Sequence, residues 1–382
     1  MRNETASRTN QQMSRLWETF SALTAIDSTT FEEGAFCDAL KKRLILIGIE
    51  SHEDNAGEQI GGNCGNLYAF VPGALPLPPI LLSAHMDTVE PGRSKRAVLS
   101  EDGVITSNGD TILGADDVAG ITVILEALAR LKENDIAHRP IELLFPVAEE
   151  QYCLGSALFD YDKIQAKESY TLDLSGKIWK AANAAPTILS FEITVEGKAA
   201  HSAFAAGRGV HAIVAASNAI TKLKLNKQKP GVIVNIGKIA GGTANNIIPA
   251  LCKVTGEIRS LSHNKALAWR ERVQAIFSEE ANKVGASITA NYRYEITAYE
   301  TPLDNPAVKR FEKTCEEALG VKAKISSTLG GSDQNNYALH GIKGLVIACS
   351  MHDVHSTQEF AILDEMEQCV NLILALVKDG SP

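Results

Sequence analysis

Apolar residues along the chain keep two different spacings, and the alternation between them lays out the elements. Met13, Leu16, Trp17, Phe20 and Leu23 recur at helical intervals with Ser, Arg, Glu and Thr between them, which predicts a first helix. The AIDSTT stretch after it reads as a loop. In PPILLSAHMD the run Ile80 to Ala84 is solidly apolar, with prolines before and polar residues after, as in a strand buried on both faces. Ile121, Ile124, Leu125, Leu128 and Leu131 define one face of a helix that begins just after Asp116 and Asp117. IELLFPV from Ile141, YTLD from Tyr170 and GLVIACS from Gly344 are further buried strands. Helix-length segments separate these runs, so they predict an α/β fold with a largely parallel central sheet and helices on its faces.

The pattern changes at about Ala184. Phe191, Ile193 and Val195 alternate with Glu192, Thr194 and Glu196, as in a strand with one buried and one wet face. A helix over Gly209 to Leu225, strands GVIVNIGKI and LCKVTGEIRS, a helix over Lys265 to Val284 and a strand SITANYRYEIT follow. That order is β-α-β-β-α-β, the split βαβ arrangement. YETPLDNP, with Pro302 and Pro306, reads as the return linker. The expected organisation is a catalytic domain over residues 1–184 and 300–382, interrupted by a small α+β domain over 185–299. The chain has no internal repeat and no low-complexity segment.

Composition narrows the partners. The 382 residues are 45% hydrophobic and 22% charged, enough for a large core, and the net charge is -9. The basic run Lys222 to Lys229 reads as a helix end whose cations complement the dipole, which makes nucleic acid a poor partner. No segment has the long uncharged run of a bilayer span, and the polar first twenty residues carry no signal-like apolar core, so a cytoplasmic location is expected. The 7 cysteines are scattered, with no CxxC, and read as reduced thiols and not as a metal site.

Chemistry gathers where apolar runs end. His85 and Asp87 follow ILLSA, Glu149 and Glu150 follow IELLFPVA, Asp173 closes YTL, and His355 lies just beyond GLVIACS. In an open parallel sheet, ligands bind at these carboxyl ends. Imidazole nitrogen with carboxylate oxygen, and no thiolate, suits a borderline divalent metal. Asp87, two residues from His85 on an extended segment, points the same way and can hold the imidazole. Asp116 stands in a glycine-bounded turn; Asp117 beside it suffices as the helix cap, and Asp173 is also a common turn residue.

HMDTVEPG, TILGADDVAG, VAEEQYCLGS, YTLDLSG, GKAAHSA, GGSDQN and HSTQEF, in this order over nearly the whole chain, resemble the M20 metallopeptidases in their peptidase T-like, or tripeptidase-like, branch. The resemblance implies a zinc-peptidase catalytic domain and an inserted ferredoxin-like lid and dimerisation domain. It implies two Zn2+ per chain, with Co2+ or Mn2+ as substitutes: His85 and Asp173 on one, Glu150 and His355 on the other, Asp116 bridging. It implies Glu149 as general base, Asp87 as the residue orienting His85, and a cis peptide between Asp116 and Asp117. By the same resemblance His201 reaches across a homodimer to stabilise the oxyanion, Arg259 clamps a substrate carboxylate, and Asn245, Gly330, Gly331 and Ser332 contact the substrate backbone. LeuSerGly after Asp173 and QYCLGS after the Glu pair depart from the pattern at positions that shape specificity.

The activity expected is hydrolysis of short peptides by metal-activated water. Fold and metal site leave open an amidohydrolase of N-acyl amino acids or related amides. A non-catalytic peptide-binding homologue would lack Glu149 or a ligand, and this chain has them.

Overall fold

The computed structural model describes residues 2–223, 225 and 231–378, with the backbone alone for residues 2–10 and 206. Of the basic run, Lys224 and residues 226–229 lie outside the described residues. The chain forms two compact units: Met1–Ala184 with Glu300–Thr328 and Ser332–Pro382, and Ala185–Tyr299 with Leu329–Gly331.

The larger unit is built on a mixed sheet. At its centre Ile141–Phe145, Ile80–Ser83, Glu168–Ser175 and Lys343–His352 lie side by side and parallel. Ile141–Phe145 and Ile80–Ser83 are buried at every position. Their side chains divide between two cores: Leu82 and Leu143 face the main one, Leu81 and Leu144 a smaller one with Phe159 and Tyr337. Two covered faces are the reason these runs are continuously apolar. Among the described residues, the only other parallel pair in this sheet is Lys324–Ser327 with Lys180–Ala185, off to its side. Leu67–Val71, Ser51–Glu53, Phe360–Ile362, Val104–Thr106 and Val98–Leu99 flank the central strands in antiparallel pairs. All but Leu67–Val71 have three residues or fewer, too short to carry a signal in the apolar pattern.

The helix Ala115–Glu133 departs from the one-faced expectation: every residue from Ala115 to Leu131 is buried. It packs between the sheet and the helices Arg2–Thr24 and Leu363–Lys378. Beyond its first turn the buried charges Glu126 and Arg130 are paired, Arg130 with Glu126 at 2.6 Å and with Glu367 at 2.6 and 2.7 Å, and Arg15 reaches Glu126 at 2.8 Å. Gly120 permits the close approach, since a Cβ there would lie 2.6 Å from the Leu172 carbonyl oxygen. None of the described helices is long and apolar enough to cross a membrane.

The smaller unit is a four-stranded antiparallel sheet in the order Ile233–Gly241, Leu251–Ser260, Thr187–Glu196, Ser287–Ile296. Helices Ala212–Leu223 and His263–Lys283 pack on it. Leu189, Phe191, Ile193 and Val195 enter its core while Glu192 and Glu196 stay out, which is why the alternation is clean. Numbered along the chain, the strand order is 2-3-1-4, that of the ferredoxin-like sandwich. Residues 329–331 join this unit although the sequence placed them in the second catalytic segment: Arg259 Nη1 donates to the Leu329 carbonyl at 2.9 Å.

Candidate metal centre

Seven candidates meet at one end of the parallel strands. The Ile80–Ser83 strand delivers His85 and Asp87. Beside it Ile141–Phe145 runs into Pro146, which has no N–H to continue a ladder, and the Met86 N–H bonds the Pro146 carbonyl at 2.9 Å. That contact sets Asp87 against the Glu pair: its Oδ1 accepts the Glu149 N–H at 2.9 Å and its Oδ2 the Glu150 N–H at 3.1 Å. Glu149–Gln151 is a single 3-10 turn held between left-handed residues, Ala148 at φ 50° and Tyr152 at φ 62°. Opposite Asp173 the ladder slips register between Val346 and Ala348, which changes the aim of the side chains there.

Asp116 stands at the centre. Its Oδ1 lies 3.0 Å from His85 Nε2 and its Oδ2 3.2 Å from His355 Nε2. His355 Nε2 is also 2.9 Å from Glu150 Oε1, and His85 Nε2 is 4.0 Å from Asp173 Oδ1. His85 Nδ1 bonds the Asp87 backbone carbonyl at 2.9 Å, with the Asp87 carboxylate at 3.3 Å, so Nε2 is turned towards Asp116. The Asp116–Asp117 peptide is cis, and both residues leave helical φ/ψ. Asp117 turns the other way, accepting the His85 N–H at 3.1 Å and the Gly120 N–H at 3.2 Å.

The Peptidase dimerisation domain model matches residues 183–285, and the Peptidase family M28 model matches residues 66–210. The uncharacterized protein YqjE of Bacillus subtilis (strain 168) is 32% identical over 369 residues, covering 96% of this chain and 98% of that one. Aminopeptidase PepT from Bacillus cereus ATCC 10987 has a TM-score of 0.90 and 32% identity over 96% of this chain and 98% of its own. A tripeptidase from Staphylococcus aureus subsp. aureus Mu50 has a TM-score of 0.93 and 28% identity over the same shares. The chain belongs to the M20 peptidases, in the peptidase T-like branch.

The site of this M20 peptidase is a concentration of buried acid. Burial, and then Asp173, push the Glu149 carboxyl well above the usual range, and burial and then Asp116 do the same to Asp173. Burial also raises Glu150. Asp116 goes the other way: burial opposes its charge, but bonds to His355 and His85 outweigh that and lower its pKa. The Asp116 and Glu150 hydrogen bonds push His355 up to about 11. Two donor groups, His85 with Asp116 and Glu150, and His85 with Asp117 and Asp173, each have their ligand atoms within 4.8 Å of one another. Imidazole and carboxylate donors, more acids than bases, and burial that penalises uncompensated charge together fit divalent cations. Cys37, Glu53 and Cys64 also lie together, but the Glu53 oxygens are taken by the Gly65 N–H at 2.8 Å and Lys41 at 2.5 Å, and that ammonium repels a cation.

Four supporting acids escaped sequence reasoning. Asp117 was read only as a cap. Glu33 is fully buried and accepts the Ala148 N–H at 3.0 Å, supporting the Glu149 turn. Asp333, within GGSDQN, is buried and accepts from Ser156 Oγ at 2.5 Å. Glu359, within HSTQEF, accepts the N–H groups of Gly114 and Asp116. Their positions in quoted motifs, or beside a helix start, were the available signal.

The remaining candidates are differently placed. Ser332 is buried, its N–H bonded to Asn335 Oδ1 at 3.2 Å. In the smaller unit, Arg259 forks onto Glu257 at 2.9 and 3.1 Å, so its charge is already compensated. His201 is exposed on a short ribbon, Ala200–His201 with Ile247–Ile248, and Asn245 lies exposed in the turn entering the second strand. Gly331 packs close to Ile296, where a Cβ would meet Cδ1 at 2.1 Å; Gly330 is exposed beside it.

Proposed function

We propose that this M20 peptidase is a dizinc aminopeptidase of short peptides, with His85 and Asp173 holding one ion, Glu150 and His355 the other, and Asp116 bridging. The observation that carries the reading is the Asp116 carboxylate, one oxygen on each of two imidazoles at 3.0 and 3.2 Å. When bound, the ion pair supplies Lewis acidity to the scissile carbonyl and lowers the pKa of a bound water. Glu149 takes the water proton and returns it to the leaving amine. Asp87 fixes the roles of the adjacent glutamates, because each of its oxygens holds one of their N–H groups and so separates the directions of the two side chains.

The smaller unit completes the reading. His201 Nδ1 accepts the Ala203 and Phe204 N–H groups at 3.2 and 3.4 Å, so in the neutral ring the proton sits on Nε2. An exposed imidazole presenting Nε2–H is an oxyanion donor, and we assign it to the partner's site in a homodimer formed through residues 185–299. In this reading Arg259 clamps a substrate carboxylate while sharing its charge with Glu257, and Asn245, Gly330, Gly331 and Ser332 contact the substrate backbone. The seven free, buried cysteines support a reducing compartment, the cytoplasm.

A hydrolysis screen of di-, tri- and N-acylated peptides with zinc- and cobalt-loaded protein tests the proposal. Release of the N-terminal residue from free-amino peptides, abolished by chelator, is the expected result. Turnover confined to N-acylated compounds would replace it with the amidohydrolase reading.

A further inference from the structure

We propose that Glu359 is a positioning residue that holds Asp116 between the two imidazoles, an inference that rests on the reading of Asp116 as the bridging ligand. Glu359 is buried, and its carboxylate spans the turn entering the Ala115–Glu133 helix: Oε2 accepts the Gly114 N–H at 2.7 Å and Oε1 the Asp116 N–H at 2.9 Å. This turn needs an external support. Gly114 is left-handed at φ 77° and Asp116 has a non-helical ψ of 99°; the Gly114 carbonyl takes the Val118 N–H at 3.2 Å, but the N–H groups of Gly114 and Asp116 point away from the helix to Glu359. Two buried donors would be orphaned without the carboxylate.

The same loop carries His355. Residues 353–359 connect the antiparallel strands Lys343–His352 and Phe360–Ile362. Within the loop Ser356 Oγ donates to the Asp353 carbonyl at 2.7 Å, and the Glu359 N–H bonds the Ser356 carbonyl at 3.1 Å. These bonds tie His355 and Glu359 into one short loop. One grips the Asp116 carboxylate at 3.2 Å, the other its backbone N–H, so the loop sets the distance from Asp116 to its own histidine. A carboxylate is required because both donors point at acceptors; a glutamine of the same shape would turn an NH2 towards one of them.

Glu359→Gln tests this against Glu367→Gln, which weakens the structural pair with Arg130 and leaves the site's hydrogen bonds intact. The readouts are metal affinity by chelator competition, kcat and KM on a tripeptide, melting temperature of the metal-free chains, and the metal-free crystal structures. The expected result for Glu359→Gln is a metal affinity about 10- to 100-fold weaker and a lower kcat at nearly unchanged KM. Glu367→Gln should lower the melting temperature without touching metal affinity. In metal-free Glu359→Gln crystals the Asp116 carboxylate should leave its place between His85 and His355. An unmoved Asp116, wild-type metal affinity, or losses no different from those of Glu367→Gln would overturn the proposal. If the wild-type chain binds no metal or cleaves no peptide, the proposed function falls, while the position of Asp116 in the metal-free variant still decides the role of Glu359.

Discussion

At the scale of residues, the site works by giving neighbouring acids different tasks. Asp116 faces two histidines while Asp117 faces backbone N–H groups; Glu150 meets His355 while Glu149 lies beside Cys153, whose thiol donates to it at 3.4 Å. Asp116→Ala should therefore abolish the two-metal state, read as metal content per chain after dialysis; two ions with full activity would remove its bridging role. Glu149→Gln keeps shape and loses the proton acceptor, so metal content should hold while kcat falls by about a hundredfold or more. Equal loss of metal would make Glu149 a ligand. Glu149 and Glu150 were legible in the sequence because they follow an apolar run at a strand end, and Asp116 because it stands in a glycine-bounded turn before a helix; these are local signals. Glu359 and Glu33 were not: HSTQEF and a helix start mark their positions, but their partners are backbone N–H groups 243 and 115 residues away, and nothing local shows which amides they hold.

At the scale of elements, the turns that carry the acids are held by buried carboxylates, and this has a cost that pH exposes. Burial and then Asp87 push Glu33 up to about 7. Its folded pKa is thus above its unfolded one, so the folded chain keeps the proton longer and loses stability as pH rises from about 4.5 to about 7. Glu33→Gln, which retains an acceptor for the Ala148 N–H, should flatten that window and gain on the order of 3 kcal/mol at most at pH 8 relative to pH 4, measured by denaturant unfolding. An unchanged pH slope would show that Glu33 is ionised without penalty. Elements themselves were read with uneven success. The alternating strands of the smaller unit were visible because one face stays wet. The stripe Ile121, Ile124, Leu125, Leu128 and Leu131 shows one face of the Ala115–Glu133 helix; the opposite side is buried too because Glu126 and Arg130 are paired with Arg15 and Glu367.

At the scale of the whole molecule, the question is whether one chain is a complete enzyme. His201 lies in the smaller unit, the proposed metal ligands in the larger, and the matched Peptidase dimerisation domain covers residues 183–285. The smaller unit ends its sheet in the edge strand Ile233–Gly241, with Ile239 exposed, and an unpaired edge can add its copy about a two-fold axis. If His201 serves the opposite subunit, two dead chains can complement each other. Glu149→Gln lacks its own base but offers an intact His201; His201→Ala lacks the donor but keeps an intact Glu149. Each heterodimer then holds one complete site of two, and equal random mixing should restore about a quarter of wild-type activity. A cis histidine leaves every site in the mixture missing one group. Activity appearing with subunit exchange, followed by mixing of differently tagged chains, is the expected outcome. A mixture that stays dead after verified exchange, or an active monomer, would return the oxyanion donor to the same chain as the metals.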